Sequence, residues 1–278
     1  MMSMPSRSAF GLACAQRRSD MVNVGVVIQA RMGSTRFPGK VLADLAGRPV
    51  LSWVTSRCGL ATTVQRVVVA TTTESEDDAI EALCVAEQVA CYRGSVNDVL
   101  GRYQEAAKTF DLDVVVRVTA DCPLMDPDVI DDVVTSLLTS RTDYASNSLP
   151  MSLPHGLEVS AMTRAALDRI ANEATSPSHR EHVTLYARQR PHAFSTRAVE
   201  YDTDAFDLRI TIDHPIDLEV VRFVVSELRR RGQFGYVDEV VAILRDHPEV
   251  ARRNAMHRPG EGLLRSLAAE EPDPSRRP

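Results

Sequence analysis

The residues best suited to chemistry lie in one short stretch, Gln29-Ala30-Arg31-Met32-Gly33-Ser34-Thr35-Arg36-Phe37-Pro38-Gly39-Lys40, directly after the apolar run Val22 to Ile28. Its two glycines let the backbone turn tightly and bring N–H groups close to an anion, and Arg31, Arg36 and Lys40 put three positive charges on the same loop. The stretch reads as a phosphate cradle. Lys40 and Lys108 are the only lysines in a chain with 32 Lys plus Arg, and a compact ammonium at this one place suits a triphosphate oxygen. A Walker A loop is excluded by spacing. Counted from Gly33, Pro38 and Gly39 stand where Gly and Lys belong, and Val41 follows Lys40 where a hydroxyl would bind magnesium. The duller reading is a basic surface turn.

In an open parallel sheet a ligand sits beyond the carboxyl ends of the strands, so the polar residues after each apolar run are the next candidates. They are Thr71-Thr72-Thr73-Glu74, Arg93-Gly94-Ser95 with Asp98 and Arg102 beyond, Thr119-Ala120-Asp121-Cys122-Pro123 and Asp213-His214-Pro215-Ile216-Asp217. Asp121 and Asp213, facing a cationic cradle, make a seat for Mg²⁺ completed by phosphate and water. Asp121 before Cys-Pro can equally begin a turn, and Asp213 or Asp217 can be a cap for a helix opened by Pro215. Glu181-His182 reads either as site residues or as a solvated charge beside a core histidine. His155 lies in a loop, and Arg117, amid valines, is expected to pair with a carboxylate because an unpaired buried cation is costly.

The elements that must position these residues alternate. Val22–Gln29, Arg66–Thr71, Val89–Tyr92, Asp113–Val118 and Leu208–Asp213 read as strands buried on both faces. Helices are expected over Pro49–Leu60, Glu76–Glu87, Val96–Thr109, Pro127–Thr139, Thr163–Glu173, His179–Arg190, Pro215–Arg231 and Val237–Asp246. The pattern predicts an α/β fold, a mostly parallel sheet flanked by helices, with a hairpin excursion near 143–160. One domain is expected over 21–247, after a disordered extension over 1–20 and before a poorly ordered tail over 248–278. The net charge of −6 argues against a nucleic-acid or anionic-membrane partner, and no apolar run reaches membrane-span length. Five cysteines without a C-x-x-C pair fit a reducing cytoplasm and no zinc site.

With these residues assembled, the chain resembles the cytidylyltransferase family, in its branch of spore-coat polysaccharide biosynthesis proteins and CMP-sugar-acid synthetases. The resemblance runs from about Val24 to Leu244. It is carried by Gln29 to Leu42, Val69-Ala70-Thr71, Arg93-Gly94-Ser95 with Asp98-Val99-Leu100 and Arg102-Tyr103, Arg117 to Leu124, Glu181-His182-Val183-Thr184, and Asp213 to Asp217. It implies a GT-A-like, Rossmann-like nucleotidyltransferase domain, CTP as donor, Mg²⁺ on Asp121 and Asp213, and homodimers built on residues 149–160. Two positions depart from the family pattern. Ser160 stands after Gly156-Leu157-Glu158-Val159 where an acidic residue is expected, and Phe37 replaces the usual Leu.

The expected reaction is transfer of CMP from CTP to an anionic acceptor, a sugar acid or a phosphonate, with release of pyrophosphate. Lys40, Arg31, Arg36 and the Gly33 and Ser34 amides would hold the outer phosphates, and Gln29, Ala30 and Asp121 would border the nucleotide. Thr71, Arg93 and Asp98 would meet the base and ribose, while His155, Glu158, Glu181 and His182 would meet the acceptor. The alternatives are a glycosyltransferase using a nucleotide-sugar, disfavoured because Cys-Pro follows Asp121 where a D-x-D is usual, and a non-catalytic nucleotide-binding protein.

Overall fold

A computed structural model describes residues 22–257 and 260–270. In chain order the strands are β1 (Val24–Gln29), a short ribbon of β2 (Asp44–Leu45) and β3 (Arg48–Pro49), β4 (Arg66–Thr72), β5 (Ala90–Gly94), β6 (Val114–Thr119), β7 (Tyr144–Ser146), β8 (Ser160–Thr163) and β9 (Thr196–Ala198). The main sheet has the order β5-β4-β1-β6-β8-β7-β9. β5, β4, β1 and β6 are parallel neighbours, and β8 alone runs against the rest. The chain moves outward from β1 through β4 to β5, then returns to place β6 on the other side of β1. The carboxyl ends of β1 and β6 therefore flank the switch point of the sheet, where a crevice must open.

Helices cover both faces: α1 (Val50–Cys58), α2 (Asp78–Ala86), α3 (Val99–Thr109), α4 (Pro127–Ser140), α5 (Arg164–Glu173), α6 (Pro177–Glu181), α7 (Leu185–Arg188), α8 (Pro215–Arg231), α9 (Val237–Asp246), α10 (Pro248–Ala251) and α11 (Glu261–Glu270). Side-chain alternation along each strand divides the core. Val26, Ile28, Val116 and Val118 pack with α1, α4 and α8, while Val27, Val68 and Val115 pack with α3 and α5. Local signals explain several helix starts. Asp98 accepts from the Gly101 amide at the head of α3, Asp126 caps α4 ahead of Pro127, and Pro215 opens α8.

Three expectations need correction. Leu208–Asp213 is extended but joins no sheet. It is tied instead to His155, whose N–H donates to the Leu208 carbonyl at 2.8 Å and whose carbonyl accepts from Ile210 at 2.7 Å, and to the Asp121 carbonyl, which accepts from Ile212 at 2.8 Å. Its alternation is real, since Leu208, Ile210 and Ile212 are all buried, but they fill the core between the excursion and the Asp121 turn rather than extend a ladder.

The helix expected over His179–Arg190 is two helices, α6 and α7, broken where Val183 takes a φ of 42°. Ser176 and Pro177 start the first one earlier, and the break buries Val183 completely. The tail beyond 247 is not structureless either, because α10 and α11 form there. No α11 side chain is fully buried, and its short apolar pattern, Leu263, Leu264 and Leu267, lies within a stretch otherwise rich in Arg, Glu and Pro. The 143–160 segment is the expected excursion, flanked by β7 and β8 as partners in the sheet. The expected extension over 1–20 lies outside the described residues.

Candidate functional site

A cavity of about 360 Å³ opens at the switch point, lined by Gln29 to Arg31, Ser34 to Arg36, Lys40, Arg102, Thr119 to Asp121, Glu181, Asp213 and three residues of α11. The loop after β1 is held in shape by its own backbone. The Met32 carbonyl accepts from Ser34 at 2.8 Å and Gly39 at 2.9 Å, and Asp77 accepts from the Met32 amide at 2.7 Å. Gly39 takes a φ of 72°, a left-handed turn that few side chains tolerate, and so aims Lys40 inward. The Ser34 amide is engaged by Met32 rather than free for an anion, and Gly33 does not line the cavity.

Lys40 is the centre of the site. Its ammonium donates to Asp121 Oδ2 at 2.6 Å and to Asp213 Oδ1 at 2.8 Å, so carboxylates from two distant segments converge on one cation. Burial works against the charged lysine, but the two carboxylates outweigh it and raise the pKa above the ordinary lysine value. Asp121 answers in kind: burial would raise its pKa, and Lys40 more than reverses this despite repulsion from Asp213. Asp213 is held well below the carboxylate range, because burial is opposed by Lys40, Arg36 and Arg209 together. Thr119 Oγ1 donates to Asp121 Oδ1 at 2.5 Å, and Arg209 donates to Asp213 Oδ2 at 3.0 Å.

Asp217 is a structural residue. Fully buried, it accepts from the Asp213 and His214 amides at 2.9 and 2.8 Å, from Arg209 at 2.9 and 3.1 Å, and from Asn254 at 2.9 Å. It therefore caps α8 and fixes both Asp213 and the arginine that pairs with it. Arg209 and Asn254 gave no signal in the sequence, since their roles depend on a contact with Asp217 that spacing does not announce.

A second cavity of about 470 Å³ adjoins the first and shares Gln29, Arg36, Thr119, Asp121 and Asp213 with it. Its outer wall is made by Arg117, Ser148, Met151, His155, Glu158, Ser160, His182, Thr184 and Arg188, with the start of α11. Gly156, at a φ of 116°, lies so close to the Thr211 amide that a Cβ would sit 2.7 Å from it, and it brings the excursion against the Asp213 segment. His155 Nδ1 hydrogen-bonds Glu158, which also accepts from the Gly156 amide at 2.8 Å. Arg117 does not find the expected carboxylate. It donates to Gln29 Oε1 at 3.0 Å, its buried Nε has no partner, and among the described residues neither it nor Arg188 forms a salt bridge.

The break between α6 and α7 sorts the neighbours Glu181 and His182, Glu181 to the first cavity and His182 to the second. Three residues expected at the nucleotide line neither cavity. Thr71 is fully buried, and Arg93 is occupied by the Thr72 carbonyl at 2.8 Å and by Asp78 and Glu81, both at 2.7 Å. Asp98 caps α3 and pairs with Arg180. The residue from this region that does reach the first cavity is Arg102. It is buried, its Nε is unpartnered and no carboxylate lies within salt-bridge distance among the described residues; burial and the nearby Arg31 charge lower its pKa. Its place one turn into a helix after a strand end was the available signal.

Comparison with known proteins identifies the class. The sequence profile of the cytidylyltransferase family matches residues 25–239. The chain is 33% identical over 233 residues to an uncharacterized protein of Methanocaldococcus jannaschii, covering 82% of this chain and 93% of that one. It is 30% identical over 240 residues to the spore coat polysaccharide biosynthesis protein SpsF of Bacillus subtilis, covering 83% and 98%. A solved cytidylyltransferase from Leptospira borgpetersenii superposes with a TM-score of 0.78 at 31% identity, covering 83% of this chain and 97% of that one. The chain belongs to the cytidylyltransferase family. It is a CTP-dependent nucleotidyltransferase with the α/β fold of that family. No helix among the described residues is long and apolar enough to cross a membrane.

Proposed function

We propose that the enzyme transfers CMP from CTP to a small anionic acceptor, a sugar acid or a phosphonate. The observation that supports this reading is the second cavity, which meets the first at Asp121 and Asp213 and holds Arg117 and Arg188 without carboxylate partners among the described residues. Arg117 is half-buried with a buried Nε that has no partner, and Arg188 lies exposed at the cavity's edge; a partly desolvated guanidinium left uncompensated favours a ligand that supplies the negative charge. CTP would occupy the first cavity, with Arg31, Arg36, Lys40 and Arg102 around its phosphates. An acceptor oxygen attacks the α-phosphorus in line from the second cavity, the bond to the bridging oxygen breaks, and the charge on departing pyrophosphate is stabilised by the cradle cations.

Asp121 and Asp213 suit Mg²⁺, since two hard carboxylate oxygens already converge on one cation, the Lys40 ammonium. Mg²⁺ held there supplies Lewis-acid polarisation of the phosphate oxygens. Lys40 is placed to exchange a carboxylate for a phosphate oxygen. If the attacking group is a carboxylate or phosphonate oxygen, no base is required; for a hydroxyl, His155, oriented by Glu158, is the group at hand. We propose also that the enzyme acts in the cytoplasm as a homodimer through the 149–160 excursion, which light scattering would test. The function is tested by pyrophosphate release with CTP against sugar acids, phosphonates and phosphosugars. Release with none of the anionic acceptors, or with neutral ones alone, refutes the assignment.

A further inference from the structure

α11 crosses the mouth of both cavities without burying a side chain of its own. Its attachments are polar. Ser266 Oγ donates to Glu181 at 2.6 Å and lies 3.0 Å from His182 Nε2, and Ser178 Oγ donates to Glu270 at 2.8 Å. Glu261 lies 3.3 Å from Arg36 and 3.6 Å from His214. Leu264 faces solvent and Leu263 and Leu267 are only half-buried, so little apolar area clamps the helix, and each hydrogen bond contributes only about 1 kcal/mol net. A helix held this way is expected to gain from a ligand that bridges it to the body.

Arg265 is the residue able to form such a bridge. It lines the same cavity as Arg31, Arg36, Lys40 and Arg102, and among the described residues the carboxylate within salt-bridge reach of it is Glu261, at the limit of 3.9 Å. The other carboxylates of that cavity are engaged elsewhere, Asp121 and Asp213 by Lys40 and Glu181 by Ser266. Five cations and three carboxylates line the 360 Å³, a positive excess that a polyanion would relieve.

We propose that Arg265 is a triphosphate-binding residue and that α11 closes the donor cavity when the phosphates draw it in. This rests on the CTP-donor reading above. The position lies beyond the region matched by the family profile, which ends at 239.

Calorimetric titration of the full chain with CTP and with CMP, for wild type, Arg265→Ala and Arg265→Lys, tests it. Arg265→Ala is expected to weaken CTP binding about tenfold and CMP binding less than twofold, with Arg265→Lys between. Amide exchange over 261–270 should slow when CTP binds wild type. Unchanged CTP affinity in Arg265→Ala, or equal losses for CTP and CMP, overturns the inference. Equal wild-type affinity for ATP and CTP instead faults the donor reading, and the role of Arg265 is then decided by its loss against either triphosphate.

Discussion

The two cavities that meet at Asp121 and Asp213 are electrostatically unlike. The donor cavity is ringed by cations with Asp121 and Asp213 drawn into one cluster around Lys40, whereas the acceptor cavity sets arginines that form no salt bridge among the described residues against an internally satisfied pair, His155 and Glu158. Their construction differs too. The donor side is mostly one continuous loop after β1 together with the end of β6, both at the switch point of the sheet. The acceptor side is assembled from β6, the excursion, the α6–α7 break, the Leu208–Asp213 segment and the start of α11. Such a division sets the floor of the donor site, though not α11 above it, on rigid elements and lets the acceptor wall vary segment by segment.

The comparison breaks most readily at Lys40. Lys40→Ala is expected to lower turnover by roughly 10²–10³-fold, the scale for losing a preorganised charge at a developing anion, and Lys40→Arg to fail as well because a planar guanidinium does not fit between the two carboxylates. Pyrophosphate release at saturating CTP checks both, and near-normal rates would reduce Lys40 to a structural ion pair. Next come the carboxylates. Asp121→Asn and Asp213→Asn should each reduce kcat by roughly 10²-fold with the fold intact. Asp217→Asn is expected to reduce turnover less but to cost roughly 3 kcal/mol in urea unfolding, since it breaks a buried pair. Equal kinetic losses at 213 and 217 would mean that the cap, rather than the cavity carboxylate, sets the rate.

A smaller effect sharpens the division between the cavities. Arg117→Ala should raise the acceptor KM roughly tenfold and leave the CTP KM unchanged, while Arg31→Ala does the reverse. A shared shift in both constants would show that the two cavities work as one.

The smallest effect concerns pH. His155 is half-buried, and that desolvation alone would lower its pKa, but the bond and charge of Glu158 raise it above 6.5; Glu158, half-buried as well, is carried below 4.5 by His155. The stability from this pair is complete between about pH 4.5 and 6.5, and it declines as pH rises through the folded histidine value or falls through the folded glutamate value. Glu158→Gln is therefore expected to cost about 1 kcal/mol at pH 5.5 and less at pH 9 in urea unfolding. A cost independent of pH would show the pair to be an uncharged hydrogen bond.

What could be read from the chain by itself was what neighbouring residues dictate. The cradle's glycines and cations, the buried valine runs of β1, β4 and β6, and the helix starts at Pro127 and Pro215 are all local, so periodicity and capping chemistry reveal them. The place of Asp121 followed from one global rule about strand ends, whereas Asp213 ends a segment that joins no sheet and reaches the site through its bonds to His155 and Asp121. The structure alone decided who meets whom. It placed Arg93 in ion pairs and Asp98 at a helix cap away from the site, gave Asp217 rather than Asp213 to the cap of α8, left Arg117 without a carboxylate among the described residues, and laid α11 across the site. Most of these depend on pairings between segments distant in the chain, 82 residues apart for Asp98 with Arg180, 88 for Arg117 with Gln29 and 85 for Ser266 with Glu181, and the free energy of a buried charge is set by its partners in space, which spacing along the sequence does not encode.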